Sequence, residues 1–389
     1  MKQWFRMVLA GALLAGSLVV SAAAADYTAC ADHLKDLGLF QGTEQGYELD
    51  RAPTRGEAAA MLVRLLGEEQ NALALDYSAP FTDLKGWEQP YVQYLYDIGA
   101  TTGVSATTFA PEAPCTAQMY AAFVLRALGY TEAAGDFTYA EVDDFAHQIG
   151  LYDAAFIDTE EFLRDDVAAA SYTALSLTTK DNDQTLLEQL VQNGAVDAQA
   201  AKPYQTLFDA YAQYRIAAAD MAALEQFSVR GGLEAILTAG GVNSLTVRTE
   251  DYTTVNRADD TASAEGSITL GAPNVDAYTQ TYSMNAAEQS DNVRAALLYG
   301  YGMVPLVCVD TIERSGSDWT FSFPVLPAQY EGALWALSHS GTALEQSGDA
   351  VLVQTVQDGR IASQTLRVEL AHDDAVMQAV LTGELDEAH

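Results

Sequence analysis

Ala52-Pro-Thr-Arg-Gly-Glu-Ala-Ala-Ala-Met-Leu-Val-Arg-Leu-Leu-Gly67 is the stretch whose reading decides the architecture, because its frame returns. Thr54 and Glu57 are spaced as a capping box, each side chain satisfying an orphan backbone amide at a helix start. Pro53 lies just outside, where a missing N–H costs nothing. Ala58, Met61, Leu62, Leu65 and Leu66 then recur at helical spacing, so an apolar face must pack on something. Gly67 stops the helix. Ala113 to Gly129 repeats this frame, and Leu163 to Leu175 is a more worn copy. Thr54, Thr116 and Leu163 occupy equivalent positions. One copy is an ordinary amphipathic helix, whereas three copies predict a repeat architecture in which no copy buries its apolar face alone.

These residues resemble the S-layer homology family, modules that hold proteins non-covalently on bacterial cell walls. Thr54-Arg55-Gly56-Glu57 is similar to the family's TRAE signature. Phe81-Thr82-Asp83 with Trp87, then Tyr91-Val92 and Tyr94-Leu95, looks like its opening segment. Ile98-Gly99 to Gly103, followed by Phe109-Ala110-Pro111, resembles its middle. The resemblance covers residues 27 to 180, with repeats at about 27–67, 81–129 and 137–177. It implies an all-helical pseudo-threefold bundle over residues 26–200. It also implies a ligand, a secondary cell-wall polysaccharide carrying a pyruvate ketal. By motif position, Arg55, Glu57, Asp83, Trp87, Gly103 and Arg164 are the polysaccharide-binding residues.

The chemistry behind that implication is anion binding. A guanidinium in the first turn of a helix stands beside amides and the positive end of the helix dipole, and can grip a carboxylate bidentately. Trp87 offers a flat face to a sugar ring, and Gly103 a turn that lets backbone approach the groove. Repeat two departs from the pattern, with Ala117 in place of Arg and Met119 in place of Glu. Repeat three has Leu163 in place of the capping Thr, although Asp166 keeps the acid. Repeat one lacks the aromatic lead-in. One or two working grooves are therefore expected, not three.

Residues 1–25 read as a secretory signal peptide: Lys2 and Arg6, an apolar run from Met7 to Val20, then Ala-rich cleavage sites. No cysteine marks a lipoprotein. The formal charge of −35 becomes −37 on cleavage, since that segment carries Lys2 and Arg6 and no acid. So acidic a chain excludes a nucleic-acid partner and a general electrostatic grip on anionic polymers. Cys30, Cys115 and Cys308 do not make a disulfide scaffold. Buried free thiols are expected, with a Cys30–Cys115 pair as the alternative.

Asp181 to Val196 reads as a short helix with a glycine stop, its Asp181-Asn182-Asp183 serving as the cap instead of a calcium loop. Residues 201–228 read as a linking helix, bounded by Lys202-Pro203. Residues 229–389 read as a β-rich domain, making the whole chain α+β. Expected strands are Ser244–Arg248, Ala262–Leu270, Tyr278–Met284, Val304–Glu313, Trp319–Phe323, Ala350–Gln357 and Ile361–Leu370, with a short helix at Tyr330–Leu337. Asp358-Gly359 is a hairpin turn. The pattern resembles the half-barrel of LolA-like carrier domains, which implies a hydrophobic ligand.

The five histidines are scattered, with no metal-ligand spacing, nucleophile elbow or phosphate loop. The reading is a secreted, wall-attached protein, not an enzyme, with no cofactor, no metal and no membrane contact once the signal is removed. A wall hydrolase tethered by the repeats and a carrier of hydrophobic ligands are the alternatives.

Overall fold

A computed structural model describes residues 27–152, 157–182, 184–256, 261–285, 304–323, 345–346, 350–372 and 374–388. The expected signal peptide and the helix at Tyr330–Leu337 lie outside the described residues. The chain is α+β and packs as two units, one covering residues 24–208 and the other the residues from 209 on.

In the first unit, helices α1 (Thr28–Asp36), α2 (Arg55–Leu65), α3 (Glu69–Leu73), α4 (Gln89–Asp97), α5 (Ala117–Ala127), α6 (Val142–Ile149), α7 (Arg164–Leu175) and α8 (Leu186–Gln192) follow one another. The three positions that the sequence aligns share one backbone conformation. Thr54, Thr116 and Leu163 each stand as an extended N-cap, with φ, ψ of −77°, 161°, −86°, 162° and −106°, 173°. The capping box of α2 is complete: Thr54 Oγ1 accepts from Glu57 N at 3.2 Å, and Glu57 Oε2 from Thr54 N at 2.9 Å. The worn copies keep complementary halves of it. Thr116 Oγ1 still accepts from Met119 N at 3.2 Å, and Asp166 Oδ2 still accepts from Leu163 N at 2.8 Å.

Helices α2, α5 and α7 bury nine of eleven, seven of eleven and ten of twelve residues, so they are enclosed nearly all round instead of along one stripe. Alanine makes that possible, since Ala58–Ala60, Ala121–Ala122 and Ala168–Ala170 let neighbours approach closely. The cap of α8 is Thr185, boxed with Glu188, and not the expected Asp181–Asp183. The competition is decided by distance, because Thr185 stands directly at the helix start. Cys30, Cys115 and Cys308 are buried, and none of them forms a disulfide. Burial pushes the Cys115 thiol up to about 12 and that of Cys30 higher, so both are chemically quiet.

Helix α9 (Ala198–Ala223) passes straight through Lys202-Pro203, where a boundary was expected. Pro203 lies in the second turn, where it removes one backbone bond, and Asp197 caps the start by accepting from Gln199 N and Ala200 N. Tyr204 and Phe208 pack on Tyr172 within the first unit, and Tyr211 and Tyr214 belong to the second.

The second unit is an antiparallel sheet of β1 (Gln226–Ala239), β2 (Val242–Asn256), β3 (Thr261–Ala272), β4 (Val275–Asn285), β5 (Thr311–Ser315), β6 (Asp318–Phe323), β7 (Glu345–Gln346), β8 (Val351–Gln357), β9 (Arg360–His372) and β10 (Ala375–Ala388). The order is β4-β3-β2-β1-β10-β9-β8-β6-β5, with β7 beside β9. The Asp358-Gly359 turn is as expected. Both residues have positive φ (50° and 75°) and join Gln357 to its partner Arg360.

Two central strands, β1 and β10, were absent from the sequence reading. Gly231, Gly232 and Gly383 dilute their alternation, yet Gly232 is required there. A Cβ on it would lie 2.5 Å from Thr249 O. The expected strand at Val304–Glu313 is instead a 3-10 turn at Leu306–Cys308 after Pro305, with β5 starting only at Thr311. The likeness to LolA-like carriers rests on strand pattern alone and gains nothing from this order.

The core of the second unit lies where α9 meets the sheet. Strands β6 and β8 alternate half-buried and buried, putting Trp319, Phe321, Phe323, Leu352 and Val356 inside. Tyr214 covers Phe321 and Phe323 at ring-centroid distances of 4.9 and 5.6 Å. Its hydroxyl donates to Gln354 Oε1 at 2.6 Å and accepts from Val304 N at 2.9 Å.

Candidate functional site

Helix α2 does not stand alone at its first turn. Arg55 N donates to Ala113 O and Gly56 N to Pro111 O, both at 2.9 Å, and Cys115 N returns a bond to Pro53 O at 2.8 Å. The Arg55 Nε donates to Phe109 O at 2.9 Å, and its guanidinium carbon lies 4.7 and 5.5 Å from the ring centres of Phe109 and Phe123. Helix α7 repeats the arrangement against repeat one. Arg164 N donates to Arg51 O, Asp165 N to Leu49 O, and Arg164 Nε to Tyr47 O at 2.9 Å. The residues that follow the aromatic acceptors, Ala110 and Glu48, both have positive φ (60° and 52°). The two seats therefore share one backbone geometry.

This geometry corrects the expectation of helix-start amides available to an anion. The amides at both starts are consumed by carbonyls of a neighbouring repeat, because docking one repeat on another needs those same donors. What remains for a ligand is guanidinium.

The two guanidinium groups differ. Among the described residues, Arg55 has no acidic partner within ion-pair distance, and Nε makes its one hydrogen bond through the side chain. Arg55 is only 4 % exposed, and burial lowers its pKa from the usual range. A desolvated cation with no ion-pair partner and no Nη hydrogen bond among the described residues favours an incoming carboxylate.

Arg164 is already answered: its Nη1 lies 3.8 Å from Glu57 Oε1 and 3.8 Å from Met61 Sδ. Glu57 is in turn held by Arg51, whose Nη1 and Nη2 donate at 2.8 and 2.6 Å. Burial works to raise the Glu57 pKa, but Arg51 and the Thr54 amide outweigh it and hold the carboxyl below its usual range. Glu57 thus serves as cap and clamp, with its oxygens engaged by protein donors. Arg51 escaped the sequence reading because its six-residue separation from Glu57 spans a turn and has no helical signature.

Asp83 does not face outward. Its Oδ1 accepts from Phe109 N at 2.9 Å and its Oδ2 from Ala110 N at 2.7 Å, which shapes the loop that receives Arg55. Those two amides outweigh burial and hold its carboxyl below the usual range. Trp87 is 52 % exposed, edge-on to Tyr91. Its neighbour Glu88 is buried, with Cγ 3.3 Å from where a Cβ on Gly56 would stand, so the lead-in of repeat two packs against the start of α2. Gly103 has φ +75°, and a Cβ there would lie 2.3 Å from Phe81 Cε1 and 2.7 Å from Thr108 O. In repeat two, Tyr152 OH donates to Ala117 O at 2.8 Å, so a buried phenol touches the position that carries arginine in the other copies.

Asp166 is 5 % exposed, and burial lifts its carboxyl to about 6 even though Leu163 N and Asp158 N donate to it. Its folded pKa exceeds the unfolded value, so between about pH 4 and 6 the unfolded chain loses this proton first. The Asp166 contribution to stability is therefore complete at about pH 4 and declines to pH 6 and above. Urea titrations of wild type and Asp166→Asn at several pH values check this. The stability of wild type relative to the variant should fall from pH 4 to 7, and a constant difference would refute the assignment.

Comparison with known proteins locates one part of this architecture. Residues 80–116 match the S-layer homology domain. An endoglucanase of Bacillus sp. (strain KSM-635) is 27% identical over 123 residues, covering 28% of this chain and 13% of that protein. A middle cell wall protein of Brevibacillus brevis (strain 47) is 32% identical over 109 residues, covering 27% of this chain and 10% of that protein. The chain thus spans about a tenth of the length of the curated relatives it matches. Among solved structures, a DUF1329 family protein from Desulfovibrio piger shares 10% identity over 45% of this chain and 92% of its own, with a TM-score of 0.15. The dehydratase domain from the CurK module of curacin polyketide synthase shares 12% identity over 46% and 83%, with a TM-score of 0.12. Scores that low assign no fold.

Proposed function

We propose, from the S-layer homology segment at residues 80–116 and the Arg55 seat built against it, that this chain attaches non-covalently to a bacterial cell wall and displays its β-rich unit there. The ligand is a secondary wall polysaccharide bearing a carboxylate, of which a pyruvate ketal is the fitting type. Arg55 grips the carboxylate through its two Nη groups, and Trp87 offers its exposed face to an adjoining sugar ring. Asp83, Glu57 and Gly103 hold the surrounding backbone in shape. Arg164 is the weaker seat, since Glu57 already lies against it. The single observation that carries this reading is a buried guanidinium with no carboxylate in ion-pair distance among the described residues.

The test is cosedimentation of the full chain with purified sacculi, before and after the secondary polymer is stripped. Binding should follow the polymer. Equal binding to stripped sacculi would place attachment on peptidoglycan and end the proposal.

The endoglucanase relative favours a second reading, in which the chain acts on wall glycan. Release of reducing ends from sacculi on incubation with the chain separates the two, since an anchor releases none.

A further inference from the structure

The starts of α2 and α7 dock on their neighbours by the same sequence offsets. Counted back from the N-caps Thr116 and Thr54, the carbonyls of the third residue (Ala113, Arg51) accept from Arg55 N and Arg164 N. Those of the fifth (Pro111, Leu49) accept from Gly56 N and Asp165 N. Those of the seventh (Phe109, Tyr47) accept from the two Nε groups, both at 2.9 Å. Counted forward, the seventh residue lies against each guanidinium. The Phe123 ring centre is 5.5 Å from Arg55 Cζ, and Met61 Sδ is 3.8 Å from Arg164 Nη1. Matched contacts at every one of these offsets superpose one interface on the other.

The third residue forward is where the two interfaces part. At Arg164 it is Glu57, whose Oε1 lies 3.8 Å from Nη1. At Arg55 it is Met119, held at the same cap position by the bond from its N–H to Thr116 Oγ1. The clamp has gone with the acid, since Arg51, which grips Glu57, corresponds to Ala113. A methionine carries no charge, and its thioether is only a weak acceptor.

We infer that Met119 makes the Arg55 seat selective for an anion supplied from outside the fold. A glutamate at this position would stand before the guanidinium as Glu57 stands before Arg164, and would compete with the ligand for the fork. The departure of repeat two from the pattern is therefore what sets the arginine of repeat one to work on a ligand. Position 119 discriminates by charge. A ligand carboxylate supplies the compensation that the fold omits, and a neutral glycan does not. That the carboxylate belongs to a wall polysaccharide rests on the proposed function, whereas closure of the seat by an acid at position 119 stands independently of it.

The test uses the full chain and a thermodynamic cycle. Met119→Glu and Arg55→Met, singly and together, are compared by urea denaturation at neutral pH. The two positions should couple by about tenfold in the folding equilibrium constant, the glutamate being favourable only where Arg55 is present. Met119→Gln has nearly the same shape as the glutamate without its charge, and should couple by about threefold at most. The position-119 variants are then mixed with polymer-bearing sacculi in about 0.15 M salt, which screens general repulsion. Met119→Glu should lower binding about tenfold or more, and Met119→Gln by about threefold at most. Absence of coupling between positions 119 and 55 would overturn the inference. So would a coupled Met119→Glu chain that binds as wild type does, or a Met119→Gln chain that loses as much as Met119→Glu. If wild type itself does not bind sacculi, the wall reading falls, and the cycle alone decides whether an acid at position 119 closes the seat.

Discussion

Arg55→Ala is expected to weaken binding of the full chain to polymer-bearing sacculi about a hundredfold, while Arg164→Ala weakens it threefold or less. A bidentate guanidinium–carboxylate contact in a desolvated seat contributes roughly 3 kcal/mol, which is about two decades in affinity. Arg164 has less to offer because Glu57 already neutralises part of its charge at 3.8 Å. Both arginines also hold a neighbouring repeat, through bonds to Phe109 O and Tyr47 O, so either alanine costs stability.

A melting curve for each variant separates that cost from lost binding. Arg55→Lys sharpens the separation: it keeps the charge near Phe109 and Phe123 but not the fork, so stability should recover further than affinity does. A folded Arg55→Ala chain that binds like wild type would remove Arg55 from the site. So would an Arg164→Ala chain that loses as much.

The second large effect is on stability. Tyr214→Phe should destabilise the β-rich unit by about 2–5 kcal/mol, since it leaves Gln354 Oε1 and Val304 N buried without the hydroxyl that served both. The ring contacts with Phe321 and Phe323 survive this change, so the loss isolates the polar contribution. Tyr211→Phe is the comparison. It removes the bond from its hydroxyl to Val304 O at 2.9 Å and should cost about 1 kcal/mol. Chemical denaturation followed in the second unit measures both. Equal costs for the two variants would show that Tyr214 is held by its ring alone.

The difference between the two arginines shows where sequence reading stops. The signature around Thr54 and the worn copies at Thr116 and Leu163 were legible because a helix cap is local, its partners three residues apart. The Asp358-Gly359 turn was legible for the same reason, both of its residues being types that tolerate positive φ. The alternating runs of β6 and β8 were legible because one face is buried and the other is not.

Strands β1 and β10 were not. They pair with each other across some 150 residues of chain, from Phe227↔Ala388 to Ala239↔Ala375, and their glycines answer to that partner rather than to a local pattern. The cap of α8 and the 3-10 turn after Pro305 were decided by which of several local options the packed unit could accommodate.

At the candidate site, sequence alone determined which residues are arginine and that each opens a helix. Tertiary structure decided what each arginine can do. Arg55 meets carbonyl and aromatic groups from repeat two and retains its fork, while Arg164 meets Glu57 of repeat one, held in place by Arg51. Arg164 and Glu57, 107 positions apart in the chain, come within 3.8 Å, whereas among the described residues no acid comes within ion-pair distance of Arg55. Charge compensation depends on separation in space, and separation in space is the property that a linear chain does not carry.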